Sequence, residues 1–117
     1  MEKVTIILNE GPSSMRSWNG LRVAAGFVGV DMEVEVFLFD AGVYAAIKGQ
    51  KPPEGLRELN LANKLADLME LGAKIKACGA CVEAGGLKKE ELVDGVTVCT
   101  LMDLCKSVKA SKNVLVF

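Results

Sequence analysis

Cys78-Gly79-Ala80-Cys81 puts two thiols three residues apart, directly after the expected strand Ala73–Ala77. A strand that ends in such a turn and starts a helix exposes unpaired backbone N–H groups, which stabilise a thiolate and lower its pKa below that of a free cysteine. The thiolate is the form that attacks disulfide and persulfide sulfur. Lys76 lies two residues before Cys78. In strand alternation it shares the face of Cys78, so its ammonium is expected to add to the stabilisation. The same spacing also occurs in thioredoxin-like, zinc-binding and inert settings, so reactive and structural roles both stay open on spacing alone. A thioredoxin fold is disfavoured because two complete strand-helix units precede the motif.

Cys99 and Cys105 complete the set of four cysteines. Cys99 falls in an expected strand. Cys105 falls on an expected helix, on an apolar face with Leu101 and Leu104, which suits packing. Neither forms the paired knuckle that a four-thiolate zinc site requires, so no metal site is expected.

The chain has no histidine. Ser-His-Asp hydrolases, Cys-His nucleophiles and HExxH zinc enzymes are therefore excluded, and any acid or base must be Asp, Glu, Lys, Tyr or Cys. No GxxxxGK[ST] or GxGxxG stretch follows a strand, so no nucleotide cofactor is expected. Asp40, at a strand end, is a candidate pocket residue, and Tyr44 lies near enough to reach the same crevice. Lys88-Lys89-Glu90-Glu91 reads as a solvated face. Fourteen Lys and Arg against fifteen Asp and Glu leave a net charge of −1 with no basic cluster, which disfavours nucleic acid.

The elements that must hold these groups follow from periodicity and turn residues. With 117 residues, 50% of them hydrophobic and 25% charged, the chain reads as one globular domain spanning residues 1–117. Strands are expected at Val4–Leu8, Val34–Phe39, Ala73–Ala77, Val96–Thr100 and Val114–Phe117. Trp18, Leu21, Ala25 and Val28 recur at helical spacing between Ser14 and Gly29. Leu61, Leu65 and Leu68 mark a second helix ending at Gly72, a short helix is expected at Val43–Lys48, and another helix runs from Leu101 to about Lys109. Gly49–Gly55, with Pro52-Pro53, is a surface loop. Glu33 and Glu35, alternating with valines, suggest a strand with one polar side.

Strand and helix in alternation imply a three-layer α/β/α sandwich, Rossmann-like, with a mainly parallel five-stranded sheet. In such a sheet the crevice lies beyond the carboxyl ends of the strands, so Asn9–Ser14, Asp40–Val43, Cys78–Cys81 and Thr100 should line it. The opening Met1–Leu8 has no apolar run suited to a signal peptide, and nowhere do about 18 uncharged apolar residues follow one another. The expectation is a soluble, cytoplasmic protein without membrane association, whose cysteines stay reduced.

The sequence resembles the DsrE/DsrF-like family, which includes sulfur-relay subunits of the DsrEFH and TusBCD type and small stand-alone homologues. The resemblance covers nearly the whole chain. It rests on Val4–Leu8, Val36–Val43, Asn113–Phe117 and, most diagnostically, Cys78–Leu87. It implies that Cys78 accepts sulfane sulfur as a persulfide and passes it between donor and acceptor proteins. Cys81 is then a second site residue that either resolves the persulfide or packs beneath the helix. The resemblance also implies a homo-oligomer, a trimer or hexamer; no cofactor is expected. Family members often carry an arginine just before the glycine matching Gly86; here that position is Gly85. Two other readings stand beside the sulfurtransferase-like carrier: a noncatalytic oligomeric binding or scaffold protein, and a thiol-disulfide redox protein using Cys78 with Cys81.

Overall fold

A computed structural model describes residues 1–117. Five strands, β1 (Lys3–Leu8), β2 (Glu33–Leu38), β3 (Lys74–Cys78), β4 (Thr97–Cys99) and β5 (Asn113–Val116), form one sheet in the order β4-β3-β2-β1-β5. Every pairing is parallel, with Ile6 opposite Val36 and Leu115, and Cys78 opposite Cys99. The four helices are α1 (Met15–Gly29), α2 (Leu61–Glu70), α3 (Gly79–Ala84) and α4 (Leu101–Ala110).

The chain steps in one direction from β1 to β4 and then returns past β1 to place β5. With right-handed crossovers, connections running in opposite directions fall on opposite faces. One face therefore carries α1 and α2 and the other carries α4, as the sandwich reading anticipates. Val4, Ile6 and Leu8 of β1, Val34, Val36 and Leu38 of β2, and Ile75 and Ala77 of β3 point to the first face, where 20 buried residues form the main core. Leu21 and Ala24 of α1 and Leu61, Leu65 and Leu68 of α2 close it. These residues recur three or four apart, which sets one stripe of each helix against the sheet.

Both helices begin at a capping side chain. Ser14 Oγ accepts the N–H of Arg16, and Asn60 Oδ1 accepts the N–H of Asn63. The turn after α2 is made by Gly72 at φ +99°, a left-handed conformation that glycine adopts without steric penalty.

The second face is built differently. Its apolar cluster holds four buried residues, Phe37, Cys78, Cys99 and Leu104. α4 is capped by a reciprocal pair: Thr100 Oγ1 accepts the Asp103 N–H, and the Asp103 carboxylate accepts the Thr100 N–H at 2.9 Å. The Thr100 N–H, followed by the Thr100 hydroxyl that donates to the same carboxylate at 3.0 Å, holds the Asp103 carboxyl below its ordinary pKa. Leu104 and Ser107 are the residues α4 buries, whereas Leu101, Met102, Cys105 and Val108 are exposed. This corrects the expected apolar face of Cys105, Leu101 and Leu104, of which Leu104 alone faces the sheet.

Glu35 is a further correction. Strand alternation marked it as polar surface, yet it is 2% exposed. Its carboxylate is held by Lys3 Nζ at 2.9 Å, Lys76 Nζ at 2.7 Å and Ser107 Oγ at 2.5 Å. Burial works to raise its pKa, but the hydrogen bonds from Lys76, Ser107 and Lys3 together outweigh burial and keep the carboxyl below its usual range. The polar side of β2 is thus a covered ion cluster whose three charged members come from three neighbouring strands.

Between β2 and α2, a 3₁₀ segment over Asp40–Ala46 replaces the short helix expected at Val43–Lys48, starting three residues earlier. Its close approach to β1 depends on Gly42, where a Cβ would lie 2.0 Å from the Leu8 carbonyl oxygen. A single antiparallel bridge, Ile47 with Leu92, ties its end to the segment before β4. No helix is long and apolar enough to cross a membrane.

Candidate functional site

The carboxyl ends of β2 and β3 bring two backbone turns face to face. On one side Asp40 opens the 3₁₀ segment at φ +54°, a left-handed conformation that costs a non-glycine residue energy. On the other, Cys78 ends β3 and serves as the N-cap of α3 with φ −61° and ψ 116°. Its Sγ accepts the N–H of Cys81 at 3.3 Å, taking the place a serine or aspartate oxygen usually fills at a helix start. Gly79 lets α3 lie against β4, since a Cβ there would sit 3.1 Å from the Cys99 carbonyl oxygen.

The strained turn at Asp40 has a consequence for Cys81: its backbone N–H points at the Cys81 Sγ and donates to it at 3.2 Å. Each of the two sulfurs is met by one backbone N–H. Cys78 is 4% exposed and sits among Phe37, Cys99 and Leu104. Cys81 is half-buried and packs against both this cluster and the main core. Burial raises the Cys81 pKa, the neighbouring Cys78 sulfur raises it further, and the Asp40 N–H pulls it back in part. Burial also raises that of Cys99, which Lys76 partly opposes.

A cavity of about 340 Å³ opens in front of this pair, lined by Asp40, Ala41 and Tyr44 from one turn and Ala80, Cys81, Ala84 and Gly85 from α3 and its end. Cys81 lines it, and Cys78 lies behind Cys81. Tyr44 donates its hydroxyl to the Gly85 carbonyl oxygen at 2.8 Å and closes one side. A Cβ at Gly85 would come within 2.8 Å of that hydroxyl oxygen, so the tyrosine occupies the space a side chain there would need. A second cavity of about 400 Å³, between the start of α1 and Gln50–Leu59, contains no thiol.

The sequence motif thus places Cys78 and Cys81 together, and Asp40 and Tyr44 join them as the pocket expectation held. Thr100 and the Asn9–Ser14 loop do not line the thiol cavity. Lys76 does not serve Cys78 as anticipated, because the Glu35 carboxylate holds its ammonium at 2.7 Å and raises its pKa above the ordinary lysine value. Cys99 is buried beside Cys78 in the sheet, while Cys105 is exposed on α4. No group of three or more His, Cys, Asp or Glu side chains is arranged to hold a metal ion. The residues that motif reading passed over are the small ones, Ala80, Ala84 and Gly85, whose spacing of four and one along α3 leaves the cavity its room. That spacing is visible in the sequence, although only the position of Tyr44 gives it meaning.

An all-parallel α/β domain with a cysteine pair at the carboxyl edge of its sheet defines a class of small thiol-bearing Rossmann-like proteins. The sequence profile of the DsrE/DsrF-like family matches residues 2–117. The chain belongs to that family. It is 41% identical over 116 residues to a protein of Methanocaldococcus jannaschii named as uncharacterized, MJ0989, with 98% of this chain and 99% of the relative covered. It is 31% identical to the protein YchN of Escherichia coli over the full length of both. The crystal structure of YchN superposes with a TM-score of 0.90, covering 100% of each chain. MTH1491 of Methanobacterium thermoautotrophicum, a structure of unknown function, superposes with a TM-score of 0.74 at 14% identity and shares the fold, with 98% of this chain and 99% of that one covered.

Proposed function

We propose that this protein is a sulfurtransferase-like carrier that holds sulfane sulfur as a persulfide on Cys78 and exchanges it with donor and acceptor proteins. The observation that carries the reading is the setting of the Cys78 Sγ. It accepts the Cys81 N–H, sits in an apolar cluster with Phe37 and Leu104, and lies beside a second thiol that lines an open cavity. An apolar wall that excludes water and bulk reductant lengthens the life of a persulfide, while the cavity gives a partner's cysteine a way in. Membership of the DsrE/DsrF-like family supports the same chemistry.

Loading transfers the outer sulfur of a donor R–S–SH to a cysteine of this chain. The donor S–S bond breaks, the new S–S bond forms, and the cysteine's proton ends on the departing donor thiol. Unloading is the same exchange with an acceptor cysteine as nucleophile. No net oxidation occurs, and neither step needs histidine, metal or cofactor.

The carrier is a homo-oligomer in this reading. Val114 and Val116 of the edge strand β5 are 39% and 63% exposed, and Leu101 and Met102 at the start of α4 are 60% and 61% exposed. Such a surface suits a second copy of the chain. Four free cysteines fit a reducing compartment, the cytoplasm.

Thiol-disulfide exchange is the second reading, favoured by the Cys81 N–H to Cys78 Sγ hydrogen bond and by the packing of Cys81 against the cluster that holds Cys78. Incubation with a persulfide donor followed by intact mass measurement separates the two. The carrier gains sulfur on wild type and none at this site in the Cys78→Ser/Cys81→Ser double variant. A wild-type chain that instead loses two hydrogens and gains no sulfur contradicts the carrier.

A further inference from the structure

We infer that Cys81 is the entry thiol of the site: sulfane sulfur is received first on Cys81 at the cavity wall and then passed inward to Cys78, with the backbone N–H of Asp40 positioning the receiving sulfur. The inference rests on the carrier reading above and adds an order to it.

Three observations converge. Cys81 lines the cavity and Cys78 does not. Cys78 is 4% exposed within an apolar cluster that Cys81 overlies, so a partner entering the cavity meets Cys81 before it can reach Cys78. Each sulfur has its own backbone donor, Asp40 N–H for Cys81 and Cys81 N–H for Cys78. Those donors stabilise whichever of the two leaves as a thiolate. The Asp40 donor belongs to a turn with a left-handed backbone at a non-glycine residue, and its N–H meets the Cys81 Sγ at 3.2 Å.

The steps balance without an oxidant. In the first, the Cys81 sulfur attacks the outer sulfur of R–S–SH, giving Cys81–S–SH and R–SH, with the Cys81 proton passing to the leaving thiol. In the second, the Cys78 sulfur attacks the outer sulfur of Cys81–S–SH. This gives Cys78–S–SH, and Cys81 recovers a proton as its thiol. Burial and Cys78 raise the Cys81 pKa and so oppose its attack as a thiolate, and the Asp40 N–H is the contact that counters them. The second step is intramolecular, between thiols of one turn in which Cys81 packs against the cluster that holds Cys78, and gains the rate advantage of proximity.

The test is time-resolved loading with inorganic polysulfide as donor, quenched by alkylation and mapped by tandem mass spectrometry, on wild type, Cys81→Ser and Cys78→Ser. In wild type, sulfur is expected on Cys81 first and on Cys78 later. Cys78→Ser should stop with sulfur on Cys81, and Cys81→Ser should load Cys78 at least about tenfold more slowly because the proximity step is lost. Circular dichroism on each variant establishes that it is folded, and the order of labelling in wild type needs no variant. Cys78 loading as fast or faster in Cys81→Ser, or sulfur on Cys78 before Cys81 in wild type, overturns the entry role and leaves the carrier standing. No sulfur on either cysteine of wild type overturns both.

Discussion

One face of the sheet is sealed by α1 and α2 over 20 buried apolar residues, while the other lies under α4 alone, with a four-residue apolar cluster and a covered ion cluster. The first face is ordinary core, in which apolar strand residues meet helical stripes. The second carries Glu35 between two lysines, the buried thiols Cys78 and Cys99, and outward-facing Leu101, Met102 and Val116. Apolar burial is concentrated on one side, which leaves the other with the ion cluster, the thiols and the exposed apolar surface. The thiol pair lies where the two meet, since Cys81 packs against both clusters.

The contrast is most strongly tested by truncating a leucine on each side. Leu65→Ala, at 0% exposure, should cost about 2–5 kcal/mol in urea unfolding, and Leu104→Ala, at 9% exposure, should fall at the lower end near about 2 kcal/mol. Equal losses at the top of that range would mean that the α4 face is packed as tightly as the other.

Glu35→Gln addresses the ion cluster and should cost about 1–3 kcal/mol, the range for charge-assisted hydrogen bonds. Its pH dependence has a definite sign. The Glu35 carboxyl titrates lower in the folded chain than in the unfolded one. Its contribution is therefore complete above the unfolded value of about 4.3 and is lost as pH falls through the lower folded value. Lys76 titrates higher when folded, so its contribution is complete below about 10.4 and fades as pH rises through the folded value. Urea midpoints across pH should drop at both ends in wild type and drop less in Glu35→Gln. An unchanged profile would show that the cluster is energetically neutral.

The smallest effect is at the start of α4, where Thr100→Ala removes the cap and should cost about 1 kcal/mol. If α4 is held mainly by its cap rather than by packing, the loss will match or exceed that of Leu104→Ala.

Much of this architecture was legible in the sequence. β1, α1, α2 and the Cys78–Cys81 turn follow from alternation, helical spacing and capping residues, and all five strands fall within a residue or two of their expected ends. What was not legible depends on pairing across the sheet. Glu35 alternates with valines as a solvent-facing residue would, and its burial follows only from the strand order that brings Lys3 and Lys76 to either side. The expected pairing of Lys76 with Cys78 failed for the same reason: a carboxylate on β2 offered a stronger partner. Cys105 was misplaced because a ten-residue helix with apolar residues on several sides does not declare which of them meets the sheet. The different settings of the two thiols were also hidden, because spacing puts both at the junction without saying that Cys81 lines the cavity and Cys78 is buried.

The resting place of the sulfur tests the central claim most directly. Wild-type protein would be loaded with a persulfide donor, freed of donor by gel filtration, alkylated, digested, and all four cysteines assigned by tandem mass spectrometry. Sulfane sulfur retained on Cys78, in the peptide spanning residues 77–88, is the predicted result. Sulfur confined to the exposed Cys105, or absent from every cysteine, would contradict it.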